Sequence, residues 1–279
     1  MFEGKKFLIT GGSSGIGRQL ARDLLGTGAI VTIVSNDRER LKRAELELSD
    51  TRHTVDSISC DISDLNQVRE MTSKYKSDHG CPDFLVNNAG FAVYRTFEES
   101  PSEEIGRLLG VNLLGAMYCT REILPAMIEK RAGHIVNVAS IAGKIIITPN
   151  AIYCAAKHGM IAWSEALKAE LARFGIGIHV ICPGRVETEF FQHETFKTRA
   201  PRKETEFTVP IESVSKAIVS AIRHDRFLTF IPWTLGILAW LANVFPWPVR
   251  AGFQRLMRSR IETLYASKDH RSKELEQTR

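Results

Sequence analysis

The stretch "KFLITGGSSGIGRQLARDLL", residues 6–25, decides the fold. It begins as a short apolar run and ends with Leu20 and Leu24 at helical spacing, around a turn holding Gly11, Gly12, Gly15 and Gly17. The order is strand, glycine turn, helix. Glycines let the chain turn tightly and approach a phosphate. The helix N-terminus then offers unpaired N–H groups and the positive end of its dipole. A glycine turn alone is equally a tight bend with no ligand, so the rest of the chain has to support the stronger reading.

The pattern continues outward from there. "AIVTIVS" (29–35) reads as a second strand and "DRERLKRAELEL" (37–48) as a charged surface helix. "TVDSISCDIS" (54–63) ends a third strand, and a helix over 64–80 starts from an Asp or Ser cap. "PDFLVNNAG" (82–90) holds a fourth strand, and a long helix is expected around 102–130. "GHIVNVAS" (133–140) is a fifth strand, residues 153–175 a helix, and "IGIHVICPG" (176–184) a sixth strand. Strands that alternate with helices and are apolar throughout imply an α/β fold, a doubly wound parallel sheet buried on both faces. One Rossmann-type domain is expected over residues 1–225, followed by an extension over 226–279 that is apolar and then basic. Within the domain, residues 185–210 are polar and broken by proline, the usual make-up of a loop over a site.

Further motifs recur in order. They are Asn87-Asn88-Ala89-Gly90 after the fourth strand, Asn112 in "VNLLG", Ser140 thirteen residues before Tyr153, Lys157 four after it, and Pro183-Gly184 after the sixth strand. With the Thr10-Gly-x-x-x-Gly-x-Gly turn, the chain resembles the single-domain branch of the short-chain dehydrogenase/reductase family. The resemblance implies an oxidoreductase that moves a hydride between a nicotinamide cofactor and a ketone or secondary alcohol. Asn112, Ser140, Tyr153 and Lys157 match the catalytic set. Tyr153 would act as general acid or base, its pKa lowered by the Lys157 ammonium. Ser140 would bind the substrate oxygen. Lys157 would also hold the nicotinamide ribose, and Asn112 a water of the proton path. A helix-bending Asn112 with a satisfied side chain is the structural alternative.

The cofactor residues implied by the same match are Gly11, Ser13, Ser14, Gly15, Ile16 and Gly17 in the turn. They continue with Asp61 and Ile62 after the third strand, Asn88 and Gly90 after the fourth, Tyr153 and Lys157, and Pro183, Gly184 and Thr188. Asp61 is equally placed to be a helix N-cap. The end of the second strand bears on which nicotinamide is used, because an acid there binds the ribose 2′-OH of NAD. Ser35 and Asn36 stand there instead, with Asp37 one residue late. Ser35 leaves room for a 2′-phosphate, which Arg38 or Arg40 could reach and Ser13 or Ser14 could donate to. Asn36 occupies a place where many NADP-dependent relatives carry arginine. The balance favours NADP, with NAD as the alternative.

The chain has 279 residues, 44% of them hydrophobic and 25% charged, which suits one large domain. Five scattered cysteines without a CxxC pair argue against a metal site or a disulfide framework and suit a reducing compartment. The N-terminal residues read as no secretory signal, so a cytoplasmic location is expected. The net charge is +5, and residues 250–279 hold eight basic side chains against four acidic ones. A charge confined to one end does not suggest nucleic acid. Before it, residues 227–249 have no charged side chain but hold Trp233, Trp240 and Trp247, with Pro232, Pro246 and Pro248. That composition suits peripheral contact with the cytoplasmic face of a membrane through 227–260. Packing on the core or on a second subunit, and a membrane span, are the alternatives. The extension also resembles that of lipid- and steroid-handling members, including 3-ketodihydrosphingosine reductases, although "PGRVETEFF" departs from that subgroup. An apolar, lipid-like ketone is therefore the expected substrate. The alternatives are a 3-oxoacyl thioester, a small polyol, or a non-catalytic binding role. The resemblance further implies a homodimer or homotetramer through the helices around 100–130 and 153–174.

Overall fold

The structure, a computed structural model, describes residues 2–49, 54–186, 188–191, 194–197, 208–249, 251–255, 258 and 262. Six strands appear where apolar runs predict them: β1 (Lys6–Thr10), β2 (Ile30–Ser35), β3 (Val55–Ser59), β4 (Phe84–Asn87), β5 (Gly133–Val138) and β6 (Ile176–Pro183). Between them run α1 (Gly15–Leu25), α2 (Arg38–Leu48), α3 (Leu65–His79), α4 (Ser102–Leu109), α5 (Gly115–Lys130) and α6 (Ala151–Leu171). Two short strands, β7 (Arg185–Val186) and β8 (Thr208–Val209), pair in parallel and pin both ends of the loop over 185–210. Within that loop lies the single-turn helix α7 (Glu194–Lys197), while Glu187, Gln192, His193 and 198–207 fall outside the described residues. The chain continues into α8 (Ile211–Arg223), β9 (Leu228–Ile231) and α9 (Thr234–Val244).

Seven strands form one parallel sheet in the order β3-β2-β1-β4-β5-β6-β9. The seventh, β9, lies inside the segment that the sequence sets apart as an extension, and pairs Val180–Pro183 with Leu228–Ile231. Its four residues are apolar or β-branched, and a neighbouring edge, not periodicity, makes them a strand.

Side-chain alternation builds two cores. Phe7 and Ile9 face one side with Leu20 and Leu24 of α1 and Val214 and Ile218 of α8. Leu8 and Leu85 face the other with Val68 and Met71 of α3 and Ile123 and Met127 of α5. Both faces are covered, as a parallel sheet requires. Strand order reverses between β1 and β4, whose ends pair Thr10 with Asn87. A crevice opens at such a switch point, outside the C-terminal ends of the strands.

The helix expected over 102–130 is interrupted by a π-helical turn, Gly110–Leu114, which carries Asn112. Asp64 caps α3, accepting from the N–H groups of Asn66 (2.8 Å) and Gln67 (3.3 Å). Asp61 is therefore not the cap. No helix among the described residues is long and apolar enough to cross a membrane.

Candidate active site

The glycine turn opens the crevice. Gly11 and Gly15 have φ of +65° and +52°, values that side chains disfavour. A Cβ at Gly11 would lie 2.7 Å from the Cα of Ala89, and one at Gly17 would strike the carbonyl of Gly11 and the amide of Asn88. These glycines thus seat α1 against the β4 loop. The Asn88 amide donates to the carbonyls of Thr10 (3.0 Å) and Gly11 (3.1 Å), so it shapes the turn. Ser14 is the N-cap of α1 without a side-chain cap bond, and the first turn has no acid. The positive end of this helix is therefore left open to the crevice. Ile16 packs on the core beneath it.

At the end of β2, the Ser13 hydroxyl donates to Ser35 (2.9 Å), and Ser35 accepts the N–H of Asp37 (3.3 Å). Asn36 and Arg38 are exposed. Asp37 caps α2 through the N–H of Arg40 and also pairs with its guanidinium at 3.0 Å. Arg40 reaches on to Glu189 at 3.3 Å. Thr188, the neighbour of Glu189, lies 3.4 Å from where a Gly15 Cβ would stand. Arg40 thus reaches from the α2 terminus to the segment that sits over the glycine turn. Asp61 accepts from the N–H (3.0 Å) and hydroxyl (2.7 Å) of Ser63. Ile62 is 5% exposed and packs where a Gly115 Cβ would otherwise go, so its side chain serves the core.

The four expected catalytic residues converge beyond β4 and β5. Ser140 follows β5, and its hydroxyl accepts the N–H of Ala142 at 3.1 Å. Tyr153 and Lys157 stand one turn apart on α6. The Lys157 ammonium donates to the carbonyl of Val138 at 2.9 Å and lies 5.7 Å from the Tyr153 ring centre. Asn112 is fully buried and donates to the carbonyls of Phe91 (2.8 Å) and Leu108 (3.1 Å). Its Oδ1 is buried without a hydrogen-bond partner among the described residues. A Cβ at Gly90 would come 2.6 Å from this oxygen and 3.6 Å from the Lys157 ammonium. Only glycine allows both groups to approach there. The fully satisfied Asn112 of the structural alternative is thus half right, since its amide is satisfied and its oxygen is not.

The electrostatics differ from the expectation for Tyr153. Burial pushes its phenol up, opposed in part by a hydrogen bond with Ser140. Burial also brings Lys157 down, from 10.5 to about 8. The lysine points to Val138, not to the phenol oxygen, so desolvation outweighs charge attraction. The resting site accordingly holds a protonated phenol beside a weakened ammonium.

Several neighbours give no signal in the sequence. The Phe190 ring packs edge-on against Tyr153 at 5.7 Å, and Tyr94 meets Phe196 at 5.6 Å and the Thr195 hydroxyl at 3.0 Å. The loop thus bridges the two sides of the crevice. A small recess beside Tyr153 is lined by Val93, Phe97, Leu108 and Ile152 and by the polar Arg95, Ser100 and Asn150, with Arg95 paired to Glu104 at 3.7 Å. Pro183 ends β6 opposite Ile231, whose carbonyl accepts the N–H of Gly184 at 2.8 Å. The long ring-to-ring and loop-to-loop separations in sequence explain why none of these contacts could be read in advance.

The family model described as short chain dehydrogenase matches residues 5–199. A ketoacyl reductase, HetN, of Nostoc sp. (strain PCC 7120) is 35% identical over 221 residues, 79% of this chain and 76% of that protein. A short-chain dehydrogenase/reductase from Burkholderia phymatum, solved in complex with NAD, superposes with a TM-score of 0.78 at 26% identity, covering 87% of this chain and 94% of that one. A single-substitution variant of actinorhodin polyketide ketoreductase, solved with NADPH, gives 0.75 at 28% identity, covering 82% and 95%.

Proposed function

The chain belongs to the short-chain dehydrogenase family, an oxidoreductase of alcohol and ketone groups, and on that premise we propose that it reduces an apolar, lipid-like ketone with NADPH. The observation that carries ketone reduction is the meeting of Ser140, Tyr153, Lys157 and Asn112 beside a glycine turn whose helix terminus has no side-chain cap.

The residues fit a nicotinamide dinucleotide. A Cβ would fill the cradle at Gly11 and Gly17, and the orphan oxygen of Asn112 faces Gly90 beside Lys157. The α1 terminus and its glycines would take the pyrophosphate. Ser13, Ser35 and Arg40 would take a 2′-phosphate, Arg40 being the arginine that reaches Glu189, next to the Thr188 that lies by Gly15. The bound cofactor supplies the hydride. Ser140 would donate to the substrate oxygen, and Tyr153, protonated at rest, would deliver a proton to that oxygen. Lys157 and a water held by the free Oδ1 of Asn112 would form the path by which the phenol proton is restored from solvent. Pro183, Gly184 and Thr188 would shape the nicotinamide end, Asp61 and Ile62 the adenine side.

The apolar part of this mixed lining, Val93, Phe97, Leu108 and Ile152, is what favours an apolar substrate. Similarity to a ketoacyl reductase favours a second reading, a 3-oxoacyl-thioester reductase. Residues 227–260 and the helices around 100–130 and 153–174 are read as a peripheral membrane contact and a homo-oligomer contact.

The test is oxidation of NADPH, and separately NADH, with long-chain ketones, short polar ketones and a short 3-oxoacyl thioester. Long-chain ketones with NADPH should give the highest kcat/KM. Preference for the thioester would favour the second reading. Arg40→Gln should raise the KM for NADPH about tenfold or more and leave that for NADH nearly unchanged, the loss of one charge-assisted contact. Equal effects on both cofactors would remove Arg40 from the 2′-phosphate site.

A further inference from the structure

The helix α9 (Thr234–Val244) divides its side chains between two tasks. Its inner side belongs to the site. Ala239 is 3% exposed and packs with Ile141 and Ile145, directly after Ser140, and with Leu235 and Leu238. Leu235 also reaches the Gly184 turn, 3.0 Å from where a Cβ there would stand. Its outer side is exposed among the described residues. Trp233 is 72% exposed and Trp240 59%, and Ile237 and Val244 share that stripe at spacings of three and four. Phe245 and Trp247 (86% exposed) are exposed just beyond the helix, and Ile146 is exposed on the loop after Ser140. Isolated exposed apolar residues are ordinary, but a helical stripe with two tryptophans, and a third exposed just after it, marks an interaction surface.

We propose that this stripe docks α9 on an anionic lipid bilayer, lying in its plane, so that the substrate site opens beside the lipid. The docking face deepens the membrane contact read above for residues 227–260, and the lipid-borne substrate rests on the apolar-ketone reading. The partner follows from charge. Residues 227–261 carry Arg250, Arg255, Arg258 and Arg260 and no acid. Arg255 is exposed, and Arg258 pairs with Glu262, just past that span, at 3.0 Å. Over residues 227–262 the count is therefore four arginines to the single acid Glu262. Anionic headgroups near the surface answer those charges. Tryptophan favours the level of the headgroups, and an eleven-residue helix is too short to span. Helices of this kind bury one apolar face in the interface.

The experiment is cosedimentation of the full chain with vesicles of phosphatidylcholine alone, or of equal parts phosphatidylcholine and phosphatidylserine. Tryptophan emission is recorded alongside. Wild type should bind the anionic vesicles at least about tenfold more tightly, with a blue shift. Trp240→Ser/Trp247→Ser should lose about tenfold or more of that binding, while its melting temperature and its turnover of a short soluble ketone stay unchanged. Equal affinity of wild type for both vesicles, or no binding, overturns the proposal. So does a wild-type dimer that the double substitution dissociates. Vesicle binding without turnover of any apolar ketone upholds the docking face and overturns the substrate reading instead.

Discussion

Tyr153→Phe is expected to lower kcat by roughly 100- to 10,000-fold, the range for a lost general acid, with cofactor affinity little changed. The substitution removes one oxygen and keeps the ring that packs on Phe190 at 5.7 Å. The fold should therefore be preserved, and the melting temperature held or slightly raised. Burial holds the phenol in its protonated form, so it starts each reduction with the proton that the product oxygen needs. No side chain at hand replaces it. Ser140 can donate a hydrogen bond, but its proton is far less acidic, and Lys157 is turned to the Val138 carbonyl. Single-turnover oxidation of NADPH by the variant is the measurement. A variant that keeps its turnover would displace Tyr153 from the acid role. A variant that keeps its cellular phenotype but not turnover would favour a binding protein over an enzyme.

Lys157→Met is expected to abolish measurable turnover and yet to stabilise the ligand-free protein at neutral pH. The side chain is 3% exposed, and burial lowers its pKa from 10.5 to about 8. Above pH 10.5 the lysine is neutral both folded and unfolded, and imposes no penalty. As pH falls from 10.5 to about 8, the unfolded chain binds the proton and the folded one does not, so stability is lost across that window. Below it the folded protein carries a poorly solvated ammonium. Methionine removes that penalty but leaves the Val138 carbonyl without its donor. The net gain should be about 1–2 kcal/mol at pH 7. Denaturant unfolding of both proteins at pH 7 and at pH 10 checks it, because the gap should narrow at the higher pH. A gap independent of pH would mean that packing, not charge, sets it. The loss of turnover with a gain in stability would mark Lys157 as a group retained for function at a structural cost.

The glycine turn, the alternation of strands and helices, and the order of Asn112, Ser140, Tyr153 and Lys157 were legible in the sequence. Each depends on neighbours a few residues apart: the spacing of apolar positions, a glycine where φ is positive, and two side chains one helical turn apart. Tertiary structure decided the rest. Val55–Ser59 and Leu228–Ile231 are both short, but only the free edge of β6 makes the second a strand. Arg40 and Arg38 look alike in sequence, and only the tertiary placement of Thr188 by Gly15, with Glu189 beside it, gives one of them an acid partner there. Asn88 and Ile62 sit among cofactor residues in the motifs, yet their side chains are engaged in fastening the glycine turn and filling the core. The charge-free run 227–249 shows an apolar segment, but not which of its side chains face Ile141 and which face solvent. Local periodicity states what a segment can become. Contacts between distant segments, and the desolvation they impose on Tyr153 and Lys157, exist only once the chain has assembled.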